Sequence, residues 1–362
     1  MSKQFVPSRW GWVAAFALLI FSTSAFAQHF TRTDLTADAA STSMAAKNTD
    51  ANLINPWGLS RSSGSPWWAA DNGAGVATLY NGSGVAQTLV VKIPLPKDAT
   101  GTAAPTGTVF NYSAGFPVNG AKSVFMFVTE DGTISGWNGG TSAVLAIDRS
   151  RRAVYKGCTL ATTTAGTFLY ATNFKTGQVD VFDSSWNPVH LNWWAFRDPR
   201  VPFGYAPFNV QNVGGNLVVT FAKQKRGSID EVDGSGLGFV SIFDPHGRLV
   251  QRLEHGWFLN APWGVVLTPS DFGVFSHRLL IGNFGDGTIH AFDLLTGKFE
   301  GTVQDSTNQP LTIHGLWSLS FGNDATAGLA NTLYFTAGPN DEANGILGTI
   351  TPVSAEQRGN NE

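Results

Sequence analysis

One cysteine, Cys158, is all the chain has, so no disulfide can form within it. Charge is scarce as well: Asp, Glu, Lys and Arg make up 14% of 362 residues, and the formal net charge is −3. That balance offers no electrostatic footprint for nucleic acid or for an anionic lipid surface. Beyond residue 27, no apolar run approaches the roughly 20 residues that span a bilayer. The motifs Gly-x-Ser-x-Gly, His-Glu-x-x-His and Cys-x-x-Cys are all missing, which removes the commonest routes to serine, zinc and dithiol chemistry. Gly282 to Gly287 imitates a dinucleotide-binding loop, but no helical pattern follows to complete it. No quinone-cofactor signature is found either.

What the chain does have is 41 glycines and 12% aromatic residues, the balance of short apolar strands joined by tight turns. Asn55-Pro56-Trp57-Gly58-Leu59 returns as Pro105-Thr106-Gly107-Thr108-Val109, Pro207-Phe208-Asn209-Val210, Pro262-Trp263-Gly264-Val265 and, more weakly, Gly315-Leu316-Trp317-Ser318-Leu319. The copies stand about 50 residues apart, except for one double gap whose midpoint falls in Tyr155-Lys156-Gly157-Cys158-Thr159. Six such units, each one four-stranded sheet, predict an all-β, six-bladed β-propeller.

Turn chemistry supports the count. Asp71-Asn72-Gly73, Glu130-Asp131-Gly132, Asn173 to Gly177 and Asn283 to Gly287 mark second-to-third strand turns, with a longer version from Gly338 to Gly345. Third strands end on an aromatic followed by Asn or Asp: Tyr80-Asn81, Trp137-Asn138, Phe182-Asp183, Phe243-Asp244, Phe292-Asp293. The aromatic packs between blades and the polar residue opens the next turn. Cys158, in an apolar strand pattern, is expected to be a buried thiol.

Residues 1–27 read as an export signal: Lys3 and Arg9, an apolar run from Trp10 to Phe21, then Ala25-Phe26-Ala27 as the cleavage site. Residues 28–51 follow as a closing strand and linker, 52–351 as the propeller and 352–362 as a polar tail. The sixth unit lacks its outer strand, and the alternating segment from Phe30 to Leu35 is expected to supply it, closing the ring. Two insertions, 189–205 and 223–238, break the repeat and are candidates for binding loops or solvated flaps.

Asn52 to Leu59, Glu130 to Trp137, Ala206 to Val210, Ala261 to Gly264 and His314 to Trp317 together resemble a family of exported bacterial six-bladed propellers related to NHL-repeat proteins. The resemblance covers nearly the whole mature chain and implies the fold without an activity. Some relatives end in a sorting segment with its own hydrophobic stretch. The tail here has none, so the expected location is the periplasm or the outside of the cell.

In a propeller, the inner-strand entries and the second-to-third strand turns crowd one face around the central channel. That face is expected to gather Asn55, Trp57, Asp71, Asn72, Asp131 and Asn173. From the second half of the chain it adds Asn209, Lys223, Trp263, Asn283, His314 and Trp317. The leading functional reading is a ligand-binding or protein-interaction module of the cell envelope, monomeric, without cofactor, taking a small molecule or an envelope protein. The alternative is a metal-dependent, lactonase-like hydrolase with one divalent cation (Ca, Mg or Zn) at the channel mouth and Asn173 and Asn283 among its oxygen donors. Against it, Asn52 and Asn55 stand where six-bladed lactonases place a Glu. Asp230 to Gly236 only faintly resembles a calcium loop, because the spacing and the closing Glu are missing.

Overall fold

The computed structural model describes residues 28–354 together with Met1 and Ser2. The rest of the segment read as an export signal, and residues 355–362 of the tail, lie outside the described residues. Six antiparallel sheets follow one another along the chain. Blade 1 comprises Pro56–Ser60, Trp67–Asp71, Val76–Tyr80 and Ala86–Lys92, and blade 2 comprises Pro105–Phe110, Phe125–Thr129, Thr133–Trp137 and Val144–Asp148. Blade 3 runs through Tyr155–Thr163, Gly166–Asn173, Gln178–Phe182 and Pro188–Val189, so the midpoint of the double gap is indeed an inner strand. Blade 4 is Tyr205–Val213, Asn216–Gln224, Gly238–Phe243 and Leu249–Arg252; blade 5 is Pro262–Leu267, Arg278–Asn283, Ile289–Asp293 and Phe299–Thr302.

Blade 6 takes Leu316–Phe321, Leu333–Ala337 and Ile346–Pro352 from the end of the chain and its fourth strand, Phe30–Ala37, from the beginning. Phe30 pairs with Pro352 and Ala37 with Ile346, so the ring closes as expected and that edge of Ile346–Pro352 is covered. The linker is more ordered than its composition suggests. Asn48–Thr49 folds back in parallel register on Thr36 and Ala37. Asp38 accepts hydrogen bonds from Asn344 Nδ2 at 2.7 Å and from the Gly345 N–H at 3.1 Å.

The recurrent aromatic-plus-Asn/Asp ending behaves as a turn switch. Asn81 Oδ1 accepts the N–H groups of Ser83 and Val85, and Asp183, Asp244 and Asp293 repeat the pattern. Asn138 departs from it and donates to the Val118 carbonyl, because a small hairpin, Pro117–Val118 with Ala121–Lys122, sits beside blade 2.

What positions the site is a bulge repeated in all six inner strands. Tyr155 faces Asn173 and Gly157 faces Thr172, leaving Lys156 as the extra residue. Phe208 and Trp263 are extra in the same way in blades 4 and 5. In blades 1, 2 and 6 the register slips at Trp57-Gly58, Thr106-Gly107 and Trp317-Ser318. A bulge re-aims the side chain of the extra residue, here toward the axis. Glycine follows the bulged residue where the next blade presses close. A Cβ on Gly58 would lie 2.6 Å from the Thr106 carbonyl oxygen, and one on Gly107 would lie 2.7 Å from the Cys158 nitrogen. Cys158 is buried, as expected, and burial pushes its thiol pKa up.

Candidate functional site

Five of the bulged residues, Trp57, Lys156, Phe208, Trp263 and Trp317, meet on the axis and all are buried, while the buried Thr106 donates its hydroxyl to the Tyr155 carbonyl at 2.8 Å. Trp57 stacks on Trp317 at 3.5 Å between ring centroids and stands edge-on to Trp263 at 6.2 Å, with Phe208 6.3 Å from Trp57. Such ring pairs add about 0.5–1.5 kcal/mol each beyond their burial. The channel is therefore a packed aromatic core. Trp57, Trp263 and Trp317, expected on the channel face, form its interior and are at most 2% exposed.

Lys156 breaks the aromatic set. Its ammonium lies 5.0 Å from the centroid of Trp57 and 5.5 Å from that of Phe174, on ring faces that attract a cation. Glu130 Oε1 is 2.6 Å from Nζ and Glu231 Oε2 3.7 Å from it. Burial works against the ammonium, but Glu130, Glu231 and Glu342 together hold its pKa above the ordinary lysine value. Glu130 comes from the second-to-third turn of blade 2, Glu231 from the 223–238 insertion of blade 4, and Glu342 from the long last turn of blade 6.

Asn55 and Asn72 tie this cluster to the aromatic core. Trp317 Nε1–H donates to Asn55 Oδ1 at 2.8 Å, and Asn55 Nδ2 donates to Glu342 Oε2 at 2.6 Å. Asn72 Nδ2 donates to Glu130 Oε2 at 2.9 Å. Asn340, Asp341 and Glu342 hold positive φ angles of 57°, 52° and 66°, three consecutive left-handed residues without a glycine among them. A left-handed residue with a Cβ costs roughly 1–2 kcal/mol, so this turn keeps a strained backbone that presents Glu342 to the mouth.

Above the cluster opens a cavity of about 650 Å³. Asp230, Glu231, Asp233, Asp341 and Glu342 line it, with Lys225, His314 and the ring of Phe284, which stacks on Trp317 at 4.1 Å. Burial pushes the Glu231 carboxyl up to about 7, against the pull of Lys156. Burial also raises Glu342, with the Asn55 hydrogen bond opposing it. Glu231 Oε2 is buried and has no hydrogen-bond partner.

Of the residues singled out from sequence, Asn55, Asn72, Trp57, Trp263 and Trp317 come together around Lys156, and His314 lines the cavity exposed. The others are engaged elsewhere. Asp71 is wholly buried, with Thr78 Oγ1 donating to it at 2.7 Å, and burial drives its pKa up. Asn209 Nδ2 donates to the Trp263 carbonyl at 2.8 Å, joining blade 4 to blade 5. Asp131 accepts the Ala104 N–H at 2.8 Å, and burial raises its pKa. Lys223 is exposed in the strand Asn216–Gln224, outside the residues that line the cavity.

Asn173 and Asn283, weighed as cation ligands, point their carboxamides into their own blades. Asn173 Oδ1 accepts the Val154 N–H at 3.3 Å and Asn283 Oδ1 the Asn260 N–H at 3.1 Å. Their Nδ2 groups donate to Asp180 and to the Phe258 carbonyl. Among the described residues, no group of three or more His, Cys, Asp or Glu side chains converges as metal ligands would. The axial position among the carboxylates already holds an ammonium. These donors do not fit a divalent cation.

Sequence reasoning missed Lys156 and did not join Glu130, Glu231 and Glu342 to it. The signal for the lysine lay in the repeat itself. Lys156 occupies the register position held by Trp57, Phe208, Trp263 and Trp317 in other units, and a lysine there is a charge on the axis. The 189–205 insertion anchors elsewhere: Asp198 pairs with Arg252 at 2.8 Å and accepts Ser241 Oγ at 2.8 Å. It displays Trp193 and Trp194 stacked at 3.7 Å and exposed.

No family model matches the chain. Among solved structures it is similar to a streptogramin B lyase, with a TM-score of 0.51, 11% identity, and 90% of this chain and 98% of that one covered. A gluconolactonase from Xanthomonas campestris gives a TM-score of 0.48 at 14% identity, covering 83% of this chain and 89% of that one. At 11% identity the likeness to the lyase is one of fold alone. Among curated sequences, the uncharacterized protein L690 of Acanthamoeba polyphaga mimivirus is 28% identical over 321 residues, 84% of this chain and 82% of its own. The uncharacterized protein R648 of the same virus is 30% identical over 320 residues, 84% of this chain and 76% of its own. This six-bladed β-propeller chain belongs to the family of mimivirus protein R648.

Proposed function

We propose that this propeller is a ligand-binding module whose site is the channel mouth above Lys156. The observation that carries the reading is the cavity of about 650 Å³, set over a solid aromatic floor and lined by side chains converging from three separate blades. Its size lies in the range that takes small molecules, and of its polar groups Glu342 is fixed by Asn55 at 2.6 Å while Glu231 faces the Lys156 ammonium at 3.7 Å. The basic, apolar and Ala-x-Ala pattern of residues 1–27 supports export, and with it a role in the periplasm or outside the cell. No helix among the described residues is long and apolar enough to cross a membrane.

A thermal-shift screen of small metabolites, repeated on the variant His314→Trp, tests this. His314 is exposed and lines the cavity, so the larger ring fills the mouth without removing a buried partner. Compounds that stabilise the parent protein should lose their effect in the variant, whose own melting temperature should stay unchanged. Stabilisation that survives the substitution would move the site away from the mouth.

A lactonase-like hydrolase is the second reading. Its support is Glu231, whose carboxyl near 7 suits proton transfer at neutral pH. It is weakened by Asn173 and Asn283, whose oxygens are held by backbone N–H groups. Turnover of a simple lactone that is abolished by Glu231→Gln would raise it above the binding module.

A further inference from the structure

We propose that the mouth cavity recognises a protonated organic amine, an ammonium or guanidinium group seated between Glu231 and Glu342 and against the ring of Phe284. The inference rests on the mouth being a binding site and names the class of ligand. Charge is the first argument. Asp230, Glu231, Asp233, Asp341 and Glu342 line the cavity, and Lys225 and His314 are the basic residues among its lining. Lys156 does not redress the balance, because its ammonium is committed to Glu130 at 2.6 Å.

Glu231 supplies the second, independent argument. Its side chain is 7% exposed, it lines the cavity, and its Oε2 is buried without a hydrogen bond, the Lys156 ammonium standing 3.7 Å away. A buried carboxylate oxygen without a hydrogen-bond donor is destabilising, and a donor entering from the cavity would relieve that cost. An N–H-bearing cation supplies that donor and neutralises the charge together.

Phe284 decides between kinds of cation. An aromatic face attracts an organic ammonium or guanidinium, and a metal ion would need several oxygen donors at close range. Here Phe284 forms a wall of the cavity, backed by Trp317 at 4.1 Å, while the donors that converge include the buried Lys156 ammonium. Anions meet carboxylates on most sides. The turn Asn340 to Glu342, held left-handed throughout, keeps Glu342 at the mouth, where Asn55 fixes one of its oxygens at 2.6 Å.

Isothermal titration of the full chain with benzylammonium, benzyl alcohol and benzoate tests this with one shape and three charges. Benzylammonium should bind at least about tenfold more tightly than benzyl alcohol, a difference of about 1.4 kcal/mol, and benzoate should not bind. At pH 8, Glu342→Gln and Glu231→Gln should each weaken benzylammonium by about tenfold while melting as cooperatively as the parent. Equal affinity for the alcohol, tighter binding of benzoate, or no benzylammonium binding at about 10 mM would overturn the proposal. If a neutral or anionic compound instead stabilises the protein and is excluded by His314→Trp, the amine fails while the mouth remains a binding site. If no compound is excluded by His314→Trp, both fall.

Discussion

Lys156 Nζ and Glu130 Oε1 lie 2.6 Å apart on the axis of the propeller, the lysine coming from the inner strand of blade 3 and the glutamate from the second-to-third turn of blade 2. The Lys156 side chain is 2% exposed, so the pair is held in a medium where an unpartnered charge is expensive. Its formation requires neighbouring blades to meet correctly, which makes it a reporter of ring assembly.

Removing one partner should therefore hurt more than removing both. Lys156→Met should destabilise the protein by about 3–5 kcal/mol near pH 8, because it leaves Glu130 and Glu231 beside an apolar side chain. The double variant Lys156→Met/Glu130→Gln should recover a large part of that loss. Urea unfolding of the two single variants and the double variant measures the coupling, and simple additivity would show that the pair contributes nothing specific.

Glu231 should make stability depend on pH with a definite sign. Its carboxyl has an ordinary value of 4.5 and is raised to about 7 in the folded protein. Between those values the folded state holds a proton that the unfolded chain has released. Its contribution is thus fully present below pH 4.5 and is lost as pH rises through 7. Glu231→Gln should be more stable than the parent above pH 7 by up to about 3 kcal/mol, and the difference should vanish near pH 4.5. Urea midpoints at pH 4.5, 6 and 8 check this; a pH-independent difference would mean that Glu231 ionises normally.

Closure of the ring by Phe30–Ala37 predicts that the start of the chain holds its end. Phe30 is 2% exposed and packs on Phe272 at 5.3 Å and Phe275 at 5.7 Å. Phe30→Ala should cost about 3–5 kcal/mol, and deleting residues 28–36 should lower the melting temperature by many degrees. A deletion variant that melts like the parent would show that the strand is dispensable.

Protein desalted exhaustively should carry less than one equivalent of calcium, magnesium or zinc. The basis is chemical: Asn173 and Asn283 have their oxygens engaged, and an ammonium occupies the centre of the carboxylates. Elemental analysis of the full chain decides it. One tightly held equivalent would raise the metal-dependent hydrolase above the binding module.

Much of the architecture was legible in sequence because it rests on local rules. Asn81, Asp183, Asp244 and Asp293 each open a turn through their own side chain, so their positions announce the strand ends. The missing outer strand of the sixth unit pointed to Phe30 to Leu35, which the fold extends to Phe30–Ala37, because an alternating strand with no sheet of its own must find an edge. Asn55, Asn72 and His314 reached the mouth for the same reason: turns and strand entries of every blade point to one face.

The carboxylate cluster was not legible. Glu130, Glu231 and Glu342 lie in turns of blades 2, 4 and 6, about two repeats apart, but the repeat does not say that these turns are long enough to bring their carboxylates together over the axis. Trp57, Trp263 and Trp317 show the limit from the other side. Sequence placed them on the axis, yet whether they line a channel or fill it depends on bulge geometry and on how closely six sheets approach. The repeat by itself determined the number of blades, the order of strands and the closure, since each follows from hydrogen bonding within one unit or its neighbour. Only the tertiary structure decided that the channel is solid and that an unbalanced acidic pocket sits above it. Those features arise where residues distant in sequence share one low-dielectric volume, and burial there sets their charge.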